Sequence, residues 1–266
     1  MLDIVNISKT FNPGTVNEKK ALSGVSLHME RGDFATIVGS NGAGKSTLFN
    51  AIAGGFITDQ GSISLAGRDI TYEAEYRRSR QMGHLFQDPM RGTAPHMTIE
   101  ENMALAYLRA GKSQRAYFSR VSKADKAAFR EQLARLGMGL EDRMRQSVGL
   151  LSGGQRQALA LLMATMVPPD LLLLDEHTAA LDPETADKVL TLTREIVVGG
   201  NITCLMVTHN MKNALELGNR TLMMDSGRIV LDVGGEARKN MTVEELLVQF
   251  KENVGKGLDN DRILLS

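Results

Sequence analysis

The chain has 266 residues, of which 42% are apolar, enough to bury the core of one sizeable domain. Lysine plus arginine and aspartate plus glutamate balance at 31 each, so no global field draws the protein to nucleic acid, and no nucleic-acid partner is expected. The one cysteine, Cys204, rules out an intrachain disulfide framework, and its neighbours Ile202, Leu205, Met206 and Val207 suit a reduced, buried thiol.

In chain order, Met1-Leu2-Asp3-Ile4 lacks the basic flank and apolar run of a secretory leader. Ile4 to Ser8, Leu22 to Met29 and Ser62 to Leu65 read as shorter strands of an antiparallel edge, punctuated by Gly61 and Gly67 as turn residues. Phe34 to Val38, Leu171 to Leu174 and Ile202 to Val207 are of another kind. They are continuous apolar runs, the pattern of strands covered on both faces in a parallel sheet, and they make the fold class α/β. Between them the character changes: Thr98-Ile99-Glu100-Glu101 is a capping box opening a helix through Met103, Leu105 and Leu108. Ser122 to Asp125 opens a second helix carrying Phe129, Leu133 and Leu136, with Gly137 as its C-cap. A helical insertion of roughly sixty to seventy residues, small for an independent domain, therefore interrupts the core. Ala158 to Val167 is the most apolar stretch and about half as long as a membrane-spanning helix, so any path across a membrane belongs to another subunit. Asp182-Pro183 caps a helix ending at Gly199 and Gly200, and Thr242 to Glu245 caps a last one with Leu246, Leu247 and Phe250. From residue 253 onward the chain reads as a loosely held tail.

Two positions carry chemistry outright. Gly39-Ser40-Asn41-Gly42-Ala43-Gly44-Lys45-Ser46-Thr47 follows the Phe34 strand and runs into a helix with Leu48, Phe49, Ala51 and Ile52, the context a phosphate-binding loop requires. Its glycines let backbone amides turn toward a phosphate, the helix N-terminus adds partial positive charge, Lys45 neutralises β- and γ-phosphate oxygens, and Ser46 offers a hydroxyl to Mg²⁺. The second is Asp175-Glu176 at the end of the Leu171 strand, where Asp175 is placed to hold Mg²⁺ through its hydration shell and Glu176 to orient and deprotonate water. On its own that pair is a weak sign; beside the phosphate loop it is a strong one. His209, after the third core strand, either holds the γ-phosphate and water or is a satisfied structural residue, while His28, His84, His96 and His177 lack metal-ligand spacing.

Leu151-Ser152-Gly153-Gly154-Gln155, just before the Ala158 helix, is a second anion-binding nest. With this motif the chain resembles the ATP-binding cassette family over nearly its whole length. The resemblance implies an ATPase with a P-loop NTPase (RecA-like) core, an antiparallel β edge subdomain and an inserted α-helical subdomain. It implies one cassette domain over 1–252, with the helical subdomain at about 88–158 and a tail at 253–266. ATP and Mg²⁺ are its cofactors. Two copies pair head to tail, and Ser152, Gly153, Gly154 and Gln155 of one close over the nucleotide held by the other. Phe11 occupies the place of the aromatic that stacks on adenine, though it also reads as a buried strand residue. Gln87, in Phe86-Gln87-Asp88-Pro89, fits the glutamine that joins the nucleotide and metal site to the helical insertion, and Ala180-Leu181-Asp182 the loop coupling opposed sites. His177 stands where the family has proline, a change that alters the loop or Glu176, or is simply tolerated.

The resemblance is to importer motor subunits on the cytoplasmic face of the membrane, in particular those for amino acids. A transmembrane permease would dock on 88–101, and an extracytoplasmic binding protein would belong to the same system. Met90, Ala94, Pro95 and Met97 either meet that partner or fill the insertion's own core. Arg77, Arg78, Arg80, Arg109, Lys112, Arg115 and Arg120 read as a solvated face rather than a membrane-facing one. The alternatives are a soluble cassette ATPase of the iron–sulfur assembly type and the energiser of an exporter or lipoprotein extraction machine.

Overall fold

The computed structural model describes residues 1–88, 90–110 and 121–254. Pro89, Lys112, Arg115, Arg120 and the tail beyond 254 lie outside them. The chain divides into two compact units, one made of 1–78 with 201 onward and the other of 79–200.

The first unit begins with strands β1 (Leu2–Phe11), β2 (Lys19–Met29) and β3 (Phe34–Gly39), then helix α1 (Lys45–Ala53), strands β4 (Gln60–Leu65) and β5 (Arg68–Asp69), and helix α2 (Glu75–Arg78). After the second unit it resumes with β8 (Cys204–Val207), α7 (Met211–Glu216), β9 (Arg220–Asp225), β10 (Arg228–Gly234), α8 (Gly235–Lys239) and α9 (Val243–Val254). One antiparallel sheet has the order β2-β1-β4-β5, and β10-β9-β3-β8 form part of another. β3 is buried at every position and pairs in parallel with β8 on one side and β9 on the other. Burial of both its faces is why its sequence shows no alternation. Ile37 lies opposite Val207, so both strands leave the sheet at the same edge. Strands β1 and β2 run longer than the apolar pattern suggests, because bulges after Ile4 and Ile7 carry the pairing through polar positions. Gly67 makes the β4–β5 turn, but Gly61 lies inside β4, where a side chain would meet the Val5 carbonyl at 2.4 Å.

The second unit holds β6 (Met82–Leu85), α3 (Ile99–Ala110), α4 (Lys123–Ala134), α5 (Gly153–Thr165), β7 (Leu171–Asp175) and α6 (Pro183–Gly199), with a 3₁₀ turn at Val148–Leu150. The caps form as the sequence suggests: Thr98 exchanges bonds with Glu101, Ser122 with Asp125, and the Asp182 side chain accepts from the Thr185 amide at 3.0 Å. Gly137 does not cap α4. That helix stops at Ala134 with Arg135 as C-cap, and Leu136 still reaches the core beyond it. Ile99, Met103, Phe129, Leu133, Leu140, Val148 and Leu159 of this unit pack into one apolar cluster. Among the described residues Met90, Ala94, Pro95 and Met97 take no part in that cluster, and Met90 is exposed.

Arg78 is a correction to the solvated-face reading. It is 1% exposed, and its guanidinium donates to the carbonyls of Ala51, Ile52, Thr71 and Glu73 at 2.8–2.9 Å. Two of these are otherwise unsatisfied carbonyls in the last turn of α1, where a cation also meets the negative end of the helix dipole.

Candidate functional site

In the first unit, the loop from Gly39 to Lys45 joins a fully buried strand to α1 with Gly44 as its N-cap. Gly44 has φ 102, and a side chain there would strike the Ala21 carbonyl at 2.7 Å, so only glycine permits this turn. The loop is further pinned by the Gly227 amide, which donates to the Ala43 carbonyl at 2.9 Å. Ala43 and Gly44 are buried, Thr47 is half-buried, and Asn41, Gly42 and Ser46 face solvent. Lys45 is 5% exposed, and its ammonium folds back across the loop to donate to the carbonyls of Gly39 and Ser40 at 2.7 and 3.0 Å. A buried cation held over a glycine-rich loop at a helix N-terminus is a seat for a polyphosphate. His209, two residues past β8, is half-buried at the sheet edge from which Gly39 also departs. The Thr208 amide fastens that strand end to the Ile37 carbonyl at 3.1 Å.

Phe11 ends β1 with its ring 36% exposed. It meets Phe56 edge to face, centroids 5.5 Å apart at 83°. The Lys9 ammonium stands 5.8 and 5.4 Å from the two ring centres while donating to the Ile57 carbonyl and Asp59. Bonds from Lys9 and the Thr10 amide hold the Asp59 carboxyl below its ordinary range. Lys9 and Phe56 carried no motif, so only the fold reveals them beside Phe11.

In the second unit, β6 and β7 run parallel with Leu85 opposite Leu174, and this brings Gln87 and the pair Asp175-Glu176 to one edge. Gln87 is exposed, and Asp175 and Glu176 are half-buried beyond four fully buried leucines. Glu176 takes φ 45, in the left-handed region. His177 is 2% exposed and bonded to Thr193 of α6, and burial lowers its pKa to about 4, keeping it neutral.

Ser152 and Gln155 prove to be a capping box on α5: the Ser152 hydroxyl accepts from the Gln155 amide at 3.3 Å, and the Gln155 side chain accepts from the Ser152 amide at 3.2 Å. Ser152 and Gly153 remain exposed at the helix start. Gly154 is buried for packing, since a side chain there would overlap the Thr185 methyl of α6 at 2.0 Å.

A buried parallel strand feeding a glycine-rich loop, a buried lysine and a helix N-terminus defines a P-loop nucleotide-binding protein. Residues 22–179 match the ABC transporter family. The chain is 43% identical over 252 residues to the tyrosine transport ATP-binding protein of Clostridioides difficile, covering 94% of this chain and 99% of that one. It is 37% identical over 213 residues to the methionine import ATP-binding protein MetN of Rhizobium etli, spanning 56% of that protein. Among solved structures it resembles a dimeric ATP-binding cassette in a post-hydrolysis state bound to ADP and inorganic phosphate, with TM-score 0.75 and 25% identity over 88% of this chain and 98% of that one. The chain belongs to the ABC transporter family and is an ATP-binding ATPase.

Proposed function

We propose that this chain is the motor subunit of a membrane importer for an amino acid or similar small solute, working as a head-to-tail dimer. The observation that carries the reading is the presence in one chain of two phosphate-type helix starts, the Lys45 loop on α1 and the Ser152 cap on α5. A head-to-tail pair uses both, Lys45 of one copy and Ser152, Gly153 and Gly154 of the other enclosing the same γ-phosphate. The names of the relatives, tyrosine transport and methionine import, support the solute class.

In this reading the loop from Gly39 to Thr47 and its Lys45 ammonium take the phosphate oxygens, and Phe11 stacks on adenine. Glu176 orients a water and accepts its proton as the water oxygen bonds to the γ-phosphorus and ADP departs, while His209 holds the γ-phosphate. Gln87 senses that phosphate at the start of the helical insertion. The Ser46 hydroxyl, Gln87 amide and Asp175 carboxylate are hard oxygen donors of the type Mg²⁺ takes, and the ion would offset charge on the β- and γ-oxygens. The nucleotide favours the closed dimer because it gains contacts only there, which is how binding becomes motion.

Among the described residues no helix is long and apolar enough to cross a membrane. Permease subunits supply the path and hold the motor at the cytoplasmic face through 88–101, and an extracytoplasmic binding protein delivers the solute. Glu176→Gln keeps the side-chain shape but cannot take the proton. The variant should bind ATP normally, lose roughly 100-fold or more of turnover, and accumulate as an ATP-bound dimer on size-exclusion chromatography. Undiminished hydrolysis would remove Glu176 from its role.

A further inference from the structure

Glu176 needs external support for its backbone. A non-glycine residue in the left-handed region is strained and persists only where its surroundings over-determine it. The turn that follows is held locally by two backbone bonds, Ala179 amide to Glu176 carbonyl at 3.0 Å and Leu181 amide to Thr178 carbonyl at 3.2 Å. Neither ties it to the rest of the unit. From Asp175 to Asp182 one side chain alone is buried, that of His177.

The hydrogen-bond directions around His177 are fixed by counting protons. The Thr193 hydroxyl has one, which it donates to the Val189 carbonyl at 2.8 Å in the turn above, so at the 3.1 Å contact with His177 it is the acceptor. The imidazole therefore carries its proton on Nε2 and donates it to α6. Its Nδ1 is buried with no hydrogen-bond partner. An orphaned buried acceptor has lost its hydration with nothing in return, which is destabilising. A hydrocarbon of similar volume would fill the space without that cost, so packing alone does not account for the residue. What a hydrocarbon could not supply is the directional bond to Thr193, itself 0% exposed on a 17-residue helix that is packed tightly on α5 at Gly154.

We infer that His177 is the positioning residue for Glu176: through its bond to Thr193 it clamps the turn bearing the carboxylate onto α6. This rests on Glu176 acting on the water, and it adds that the carboxylate's aim depends on a bond between His177 and a side chain 16 residues beyond that histidine. Near-attack geometry tolerates little displacement, so loosening the clamp lowers turnover while the Lys45 loop, which binds ATP, is untouched.

The test is steady-state ATP hydrolysis by the chain carrying Thr193→Val, Thr193→Ser, His177→Ala or His177→Gln, with thermal melts to confirm folding. Thr193→Val, isosteric but unable to accept, should lower kcat about 5- to 20-fold with KM for ATP within about 2-fold of wild type. Thr193→Ser restores the acceptor and should restore kcat, and His177→Gln, whose amide nitrogen can reach Thr193, should stay closer to wild type than His177→Ala. Wild-type kcat in folded Thr193→Val overturns the clamp, as does a loss that Thr193→Ser fails to rescue. Should His177→Ala not fold, the two Thr193 variants decide alone. Glu176→Gln run alongside separates the two ideas: if it is inactive while the clamp variants are normal, the clamp is wrong and the water-activating role stands; if it is active, that role itself has failed.

Discussion

Arg78 shows what a single side chain contributes to the phosphate seat from the far end of its helix. Its guanidinium gathers four carbonyls, two of them from α1, whose other end is the Lys45 loop. Burial lowers its pKa, opposed by the nearby charges of Glu73 and Asp69, and the ion remains charged throughout the physiological range. Arg78→Met would keep the volume and strand the four carbonyls in an apolar pocket, a loss of roughly 3–5 kcal/mol. Arg78→Lys should recover only part of this, because an ammonium cannot reproduce the planar fork. Urea midpoints of the three proteins check both the size and the order of the losses. Nothing in the sequence distinguished this arginine from Arg77 beside it, since its burial depends on carbonyls from Ala51 to Glu73 meeting in space.

At the scale of elements, legibility followed locality. Capping boxes span four residues and the phosphate loop nine, so their hydrogen-bond logic is written in consecutive letters, and the helices they open lie where those letters place them. Strands β3, β7 and β8 announced themselves by unbroken apolar runs. β6 did not, because Met82-Gly83-His84-Leu85 is short and carries a glycine and a histidine, and β9 mixes Arg220 and Thr221 with methionines. The tie from His177 to Thr193 was equally invisible, being a contact between a turn and the middle of a helix. The histidine in β6 gives that strand a pH signature. Burial, aided by the Arg91 charge, lowers the His84 pKa from 6.5 to about 4. Between those values the unfolded chain holds a proton that the folded one refuses, so stability is complete above pH 6.5 and falls as pH drops toward 4, by about 1.4 kcal/mol per unit for this group. His84→Phe should flatten the dependence, read as a smaller change in denaturation midpoint between pH 7 and pH 5.

For the molecule as a whole, the head-to-tail reading makes a demand that no single-chain property could meet: the two phosphate-binding helix starts of one protomer serve different nucleotides. Lys45→Ala removes the cation from a protomer's own site. Ser152→Asp keeps a good N-cap on α5 but sets a carboxylate against the phosphate of the opposing site. Each variant alone has both composite sites spoiled, by a missing lysine or by a repelling carboxylate, and should be close to inactive. In a mixed dimer the two defects fall on the same site, leaving the other with an intact Lys45 from one copy and an intact Ser152 from its mate. Equal mixing gives heterodimers in half of the pairs, with one sound site in each, so about a quarter of wild-type hydrolysis should return if the sites turn over independently, and less if they are coupled. Hydrolysis should also rise with chain concentration until pairing saturates. If the mixture stays as inactive as its components while both variants remain folded and able to pair, each nucleotide is served by one protomer alone, and the second helix start must be assigned other work.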